Sequence, residues 1–226
     1  PLFLKVSFHR PHSPYDPPVR WVEQTRAHLG AFAPVVGNWS ARYAGDERNR
    51  SEQKGCSASI NSFCGRQCGV ESYCGRLDEA ELWNVRLHYV ASVSFVDEQV
   101  GRLLATVRAA ERVFSNTFVL YTSDHGDALG DHHLWKKSTP YENVASVPLV
   151  VRWPVSMDCR VTVPRGSSLP FLVELRDVFP TLAEVAGIAL PSSAVDDRAP
   201  DGRSLLSLLG GLRAWRTTLL LELAQC

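Results

Sequence analysis

The run Thr117-Phe118-Val119-Leu120-Tyr121-Thr122 is short, β-rich and apolar, and it empties directly into Ser123-Asp124-His125-Gly126-Asp127. A run of this kind predicts a central strand covered on both faces. A covered strand that ends in a carboxylate and an imidazole constrains the fold more than any other stretch of the chain. Open α/β sheets place their ligands beyond the carboxyl ends of the strands, where the strand fixes the backbone and the next loop presents side chains. Asp124 and His125 are therefore expected at that end, with Gly126 and Gly130 letting the loop turn and Lys136 and Lys137 following it. Such a set can hold a cation and an oxyanion together. Spacing alone also suits a solvated polar loop, because the run contains neither a CxxC nor an HExxH pattern.

The remaining elements follow from periodicity. Residues 2–8 read as a strand, followed by a Pro-rich loop to about Val36 and a Cys-rich excursion at about 39–76. A long helix is expected from about Asp78 to Arg112, with Val93, Val96, Val100, Leu103, Leu104 and Val107 forming its apolar face. Tyr89 and Asp97 on that helix are expected to be buried hydrogen-bonding partners. Further strands are expected at 148–152 and 217–223. Asp177 is expected to cap a helix that Gly187 stops. Strands alternating with helices predict an α/β fold with a mainly parallel central sheet flanked by helices.

Composition narrows the classes. With 226 residues, 45% of them hydrophobic, the chain can bury a sizeable core. Its formal net charge is zero, and no basic stripe interleaved with aromatics points to nucleic acid. No apolar run approaches the roughly 20 residues needed for a membrane span. Cys56, Cys64, Cys68 and Cys74, with gaps of seven, three and five residues, suit loop-stapling disulfides better than a zinc knuckle, with free thiols as the third option. Asn38-Trp39-Ser40 and Asn49-Arg50-Ser51 have the form of glycosylation acceptors. Together these features suit a secreted or lysosomal protein.

Several stretches in order carry a resemblance. They are Phe8-His9-Arg10-Pro11-His12-Ser13-Pro14-Tyr15, the helix Tyr89 to Leu104, Ser123 to Glu142 with Val147-Pro148-Leu149, Asp177-Val178-Phe179-Pro180-Thr181-Leu182, and Asp201-Gly202-Arg203-Ser204-Leu205-Leu206. This order resembles the sulfatase family of the alkaline-phosphatase-like superfamily, and only the excursion has no counterpart. The resemblance implies an alkaline-phosphatase-like sandwich, incomplete here, with 1–190 the carboxyl-side portion of the α/β domain and 191–226 the start of a smaller subdomain. It also implies a divalent cation on Asp124 and His125. Calcium is the usual ion in the family, and the imidazole donor leaves magnesium or manganese open.

Lys137 matches the lysine that reaches a sulfate oxygen, and Lys136 falls where the family often has glycine. His12 matches the histidine that binds sulfate and protonates the leaving oxygen. Asp127, Asp131, His132 and His133 take a structural role as loop anchors. The implied partner is a sulfate ester, a sulfated glycan among the candidates.

The family's Cys-x-Pro-x-Arg motif, whose cysteine becomes the formylglycine nucleophile, does not occur around any of the six cysteines. Asp196-Asp197 lies in a Pro/Ser-rich loop and reads as turn material rather than as the family's metal-binding aspartate pair. A fragment of a longer sulfatase, inactive alone, is therefore expected, with an exposed apolar patch where further strands would pack. The alternatives are a phosphodiesterase or phosphonate monoester hydrolase of the same superfamily, and a non-catalytic secreted binding module.

Overall fold

The computed structural model describes residues 2–29, 79–131, 134–137, 139–191, 199–211 and 214–221, together with the backbone of three two-residue strands within 58–74. Expectations for Cys56, Cys64, Cys68, Asn38, Asn49, His132, His133, Asp196 and Asp197, and for the Cys74 side chain, lie outside the described residues.

In chain order the elements begin with α1 (Val19–Leu29), β1 (Ala58–Ser59), β2 (Ser62–Phe63), β3 (Tyr73–Cys74), α2 (Glu79–Ala109) and α3 (Glu111–Ser115). They continue with β4 (Val119–Thr122), β5 (Leu134–Trp135), α4 (Glu142–Ala145), β6 (Leu149–Arg152), α5 (Val178–Val185) and α6 (Leu206–Leu209). The chain falls into two compact units. One holds Lys5–Thr106 and His125–Val147, and the other holds Val107–Asp124 and Pro148–Glu222.

In the first unit α2 is the dominant element, 31 residues long, with Glu79 and Glu81 in its first turn and Arg108 in its last, as the helix dipole favours. Its buried residues are Val85, Leu87, Ala91, Ser92 and Val96. Val85 and Leu87 are about 200° apart on the helix, so the amino-terminal half is covered on two sides. The expected apolar face is only partly realised. Val93 is 43% exposed, since it stands at the edge of the Val85–Ser92–Val96 face. Asp97 is exposed too, which corrects its expected burial.

A small core forms where Val85 meets Tyr15 and Trp135, with Leu82, Tyr89 and Leu129 packed around them. The Tyr15 and Tyr89 rings meet edge to face at 5.9 Å. β3 pairs antiparallel with β5, Tyr73 opposite Trp135, so the end of the Cys-rich excursion lies against the strand that leads into Lys136 and Lys137.

In the second unit β4 and β6 pair antiparallel, Val119 opposite Arg152 and Thr122 opposite Leu149. Arg152 locks the outer end of this pair. Its guanidinium lies 3.7 Å from the Phe114 ring centroid and donates to the carbonyls of Phe114 and Thr117. Burial, then the charges of Arg165 and Arg108, lowers its pKa from the ordinary value.

The strand expected at 117–122 is present in shortened form, but it is not covered on both faces: Tyr121 and its cross-strand neighbour Val150 are 45% and 58% exposed. All strand pairings among the described residues are antiparallel, because β4 finds β6 rather than a crossover partner. Residues 2–8 form no strand, and Leu2, Phe3 and Leu4 are exposed. The described residues of the run expected at 217–223 likewise form none, and Leu220 is exposed.

The core of this unit gathers Leu205, Leu208 and Trp215 with Leu149, Leu169, Phe171 and Val173. Asp177 is fully buried beneath it. It does not cap α5 as expected. Instead its side chain closes a capping box with Glu174 one turn earlier and accepts from the Arg203 amide and the Arg216 guanidinium. The carboxylate is already committed, so α5 starts without a side-chain cap.

The end of α5 is as expected. Gly187 takes φ +72°, its amide donates to Glu184, and the Ile188 amide donates to Ala183, a Schellman closure. The expected boundary near residue 190 is spanned by the Asp177–Arg216 pair.

Candidate active site

His12 sits at the exposed tip of a tight turn between Pro11 and Pro14. The turn is closed on itself. The His12 amide donates to the His9 carbonyl at 3.0 Å, and Arg10 donates to the Pro14 carbonyl at 3.0 Å and pairs with Asp16. The His12 Nδ1–H donates to the Ser13 carbonyl at 2.7 Å, which places the lone pair of the neutral ring on Nε2. The His9 ring stands 5.1 Å away, tilted by 53°.

The second element is the loop that runs from His125 to Lys137. Its backbone is cross-tied: the Gly126 amide donates to Val144, Ala128 to Lys136, and Gly130 to Leu134. Gly126 is obligatory, because a Cβ there would lie 2.0 Å from the Asn143 carbonyl oxygen.

Arg86 reaches over from α2 to the Leu129 carbonyl at 2.9 Å and to Asp131 at 2.8 Å. Asn143 donates to the Ala128 carbonyl and to Asp131 from the other side. Leu129 and Lys136 both take left-handed backbone, at φ +46° and +64°. Left-handed backbone is glycine territory. Lys136 therefore occupies a backbone conformation that a glycine would adopt at less cost.

Asp127 is the hinge of this arrangement. Its Oδ2 accepts from the Tyr15 hydroxyl at 2.7 Å, and its Oδ1 accepts from the amides of Leu129 and Lys136, each at 3.0 Å. Burial, reinforced by the Asp127 charge and hydrogen bond, drives the Tyr15 pKa far above its ordinary value, so the phenol stays protonated and donating. The loop-anchoring roles expected for Asp127 and Asp131 correspond to these contacts.

Asp124 is exposed just beyond the carboxyl end of β4, and His125 is half-buried. The His125 Nδ1–H donates to the Gly126 carbonyl at 2.7 Å, which again puts the neutral ring's lone pair on Nε2. A carboxylate oxygen and an imidazole nitrogen are acceptable donors for a divalent ion, but a hard cation needs about six to eight. Among the described residues no group of three His, Cys, Asp or Glu side chains assembles a metal site. Asp124 and His125 thus fit as part of a coordination shell and not as the whole of one.

His12, His125 and Lys137 belong to the same unit, while Asp124, peptide-bonded to His125, belongs to the other. The sequence reading gave no role to Tyr15, Arg86 or Asn143. Tyr15 stood inside the quoted Pro-His-Ser-Pro-Tyr stretch, but its partner is 112 residues away, and no local spacing signals such a bond.

The family model described as Sulfatase matches residues 1–188. An arylsulfatase of Clostridium perfringens is 32% identical over 209 residues, which cover 92% of this chain and 37% of that protein. The chain thus spans well under half the length of this relative.

Among solved structures, a phosphonate monoester hydrolase from Silicibacter pomeroyi aligns with a TM-score of 0.51 and 29% identity, covering 60% of this chain and 24% of that one. A protein in complex with its substrate D-glucosamine-2-N,6-O-disulfate aligns with a TM-score of 0.51 and 26% identity, covering 79% and 31%. These likenesses agree with an α/β, alkaline-phosphatase-like fold.

Proposed function

The chain belongs to the sulfatase family, and from that premise we propose that it forms part of a hydrolase of sulfate monoesters, with the anion held by His12 and Lys137 beside a divalent cation on Asp124 and His125. The observation that carries this reading is that the matched region, 1–188, contains all four residues and every loop bond that supports them. β4 and β6 would then belong to a larger sandwich with a mainly parallel sheet. The sulfated glycosamine bound by a structural relative makes sulfated glycans the first substrate class to try.

When bound, the cation, calcium in the first instance and magnesium or manganese as alternatives, supplies positive charge at the sulfate oxygens. Lys137 holds a nonbridging oxygen with its ammonium group. His12, its ring oriented by the Nδ1–H bond to Ser13, acts in its doubly protonated imidazolium form, giving the Nε2 proton to the departing alcohol or phenol oxygen and ending as the neutral ring with its lone pair on Nε2. Fixed charges of this kind lower such barriers by several kcal/mol, about 3 for one good donor. No cysteine here has the Cys-x-Pro-x-Arg context. The formylglycine nucleophile is therefore assigned to polypeptide that carries that motif, and these residues alone are proposed to be inactive. The setting proposed is the secretory pathway or the lysosome.

The test joins these residues to a segment bearing the motif, matured to formylglycine, and measures hydrolysis of an aryl sulfate with and without chelator. Loss of turnover on chelation and in Lys137→Ala and His12→Ala is expected. Full activity in all three would end the assignment.

A second reading, phosphonate monoester or phosphodiester hydrolysis, is favoured by the likeness to the Silicibacter pomeroyi enzyme. Faster turnover of an aryl phosphonate than of the aryl sulfate by the same preparation would establish it. Metal-dependent retention on a sulfated glycan column without turnover would instead identify a binding module.

A further inference from the structure

We propose that Asp127 is a positioning residue that sets the three anion-handling segments against one another, an inference that rests on the sulfatase reading above. The observation is the distribution of its three hydrogen bonds. Oδ2 takes the Tyr15 hydroxyl, three residues from His12. Oδ1 takes the amide of Lys136, next to Lys137, and the amide of Leu129 within the loop that His125 opens. One carboxylate therefore touches the His12 turn, the His125 loop and the Lys137 segment, although it contacts none of the reacting atoms in the proposed mechanism.

Each bond restrains a different degree of freedom. The Leu129 bond is an Asx-type turn that fixes how the loop leaves His125 and Gly126. The Lys136 bond holds that residue in left-handed backbone, at φ +64°, a conformation costly for a side chain with a Cβ and one that sets the direction in which Lys137 departs. The Tyr15 bond is long-range and lies in the small core where Val85 of α2 meets Trp135 of the loop, so it ties the loop to α2. A carboxylate is suited to the task because it accepts at both oxygens without needing a proton of its own. Asn retains only one accepting oxygen and must turn a donor toward the other partner.

The role differs from bulk stabilisation in what it controls. A purely structural Asp127 would matter only through the folded fraction. A positioning Asp127 matters for catalysis in molecules that are fully folded, because an error of about 1 Å in a catalytic group costs on the order of a hundredfold in rate.

The test compares Asp127→Ala, Asp127→Asn and Tyr15→Phe with Gly202→Ala, a destabilising control in the other unit. The first measurement titrates inorganic sulfate into the 226-residue chain and follows the His12 ring and Lys137 amide by NMR. The wild type should show both signals moving with one dissociation constant. In Asp127→Ala the two should lose that common constant, with affinity at least tenfold weaker, and Gly202→Ala should match wild type at temperatures where it is folded.

The second measurement, in the formylglycine-bearing enzyme, reads kcat and KM for the aryl sulfate. Asp127→Ala should lose about a hundredfold in kcat with a smaller change in KM, Tyr15→Phe about tenfold, and Asp127→Asn should recover part of the loss. If the Asp127 variants track Gly202→Ala in both measurements, the positioning role is refuted and the sulfatase reading stands. Wild-type protein that neither binds sulfate nor turns over the ester refutes both.

Discussion

Arg216 grips Asp177 through both terminal guanidinium nitrogens, Nη2 to Oδ1 at 2.7 Å and Nη1 to Oδ2, and the carboxylate has no solvent exposure at all. The Arg203 and Glu174 amides fill its remaining acceptor directions. Thr181, one turn further on, donates to the Asp177 carbonyl at 2.6 Å and accepts from the Leu205 amide at 2.8 Å. The two late sequence signposts, Asp177 to Leu182 and Asp201 to Leu206, are thus two halves of one polar knot beneath the Leu205–Trp215 core.

Removing one partner of a buried, fully bonded pair leaves an uncompensated charge and costs about 3–5 kcal/mol. Asp177→Ala and Arg216→Ala should each lower stability by that order. Urea unfolding followed by circular dichroism checks it, and a loss under about 1 kcal/mol would mean the pair is dispensable.

The same knot gives a pH dependence. Burial on its own raises the Asp177 pKa, but the hydrogen bonds from Arg216, then those from the Arg203 and Glu174 amides, outweigh it and hold the carboxyl below the ordinary value. A carboxyl depressed in the folded state contributes stability that is present above its unfolded pKa, about 3.9, and is lost as pH falls through the folded value. Wild type should therefore show an acid-unfolding limb below about pH 4, and Asp177→Asn, less stable at neutral pH, should show a shallower one. Denaturant midpoints measured from pH 6 to pH 2 decide the matter.

Tyr15 works in the opposite direction. Its pKa is raised first by burial and then by Asp127, so its contribution is full below the unfolded phenol value of about 10 and is lost as pH climbs toward the folded value. Absorbance at 295 nm should show one tyrosine that ionises only as the chain unfolds. Tyr15→Phe should abolish that step, and its persistence would place the late-ionising tyrosine elsewhere.

Two glycines with opposite surroundings make a paired test. A Cβ on Gly202 would lie 1.9 Å from the Arg176 carbonyl oxygen, whereas one on Gly101, exposed in the interior of α2, meets nothing within 4 Å. Gly202→Ala should cost about 2 kcal/mol or more. Gly101→Ala should add about 0.5–1 kcal/mol through helix propensity. Melting curves of the two variants should shift in opposite directions.

Lys136→Gly relieves left-handed backbone and keeps the amide that Asp127 holds, so it should be neutral or up to about 1 kcal/mol stabilising. Sulfate binding should survive this change and fail in Lys137→Ala. If Lys136→Gly abolished binding and Lys137→Ala did not, the two lysines would exchange roles.

What could be read in advance was what local chemistry dictates. The α2 segment announced itself by its apolar spacing, and the Gly187 stop followed from glycine's tolerance of positive φ. The polar loop after β4 was visible because an acid and an imidazole rarely follow an apolar strand without cause. The bonds that set the loop's shape were not visible, because Tyr15, Arg86 and Asn143 meet their partners across 112, 45 and 12 residues. Asp177 has the local look of a helix cap for the same reason: the guanidinium that claims its carboxylate is 39 positions away. The strand at 117–122 was expected to be covered on both faces because apolarity reports which side chains favour burial and not whether a neighbour is present to cover them.

The register of β4 on β6 also has an engineering consequence. Because Thr122 faces Leu149 across the ladder, the exit of one strand and the entry of the other are pinned side by side. The chain leaves β4 and enters β6 at directly paired positions. Changes within the intervening segment can therefore be read against a fixed ladder, with Gly126 and Asp127 retained as the positions whose contacts tie the loop.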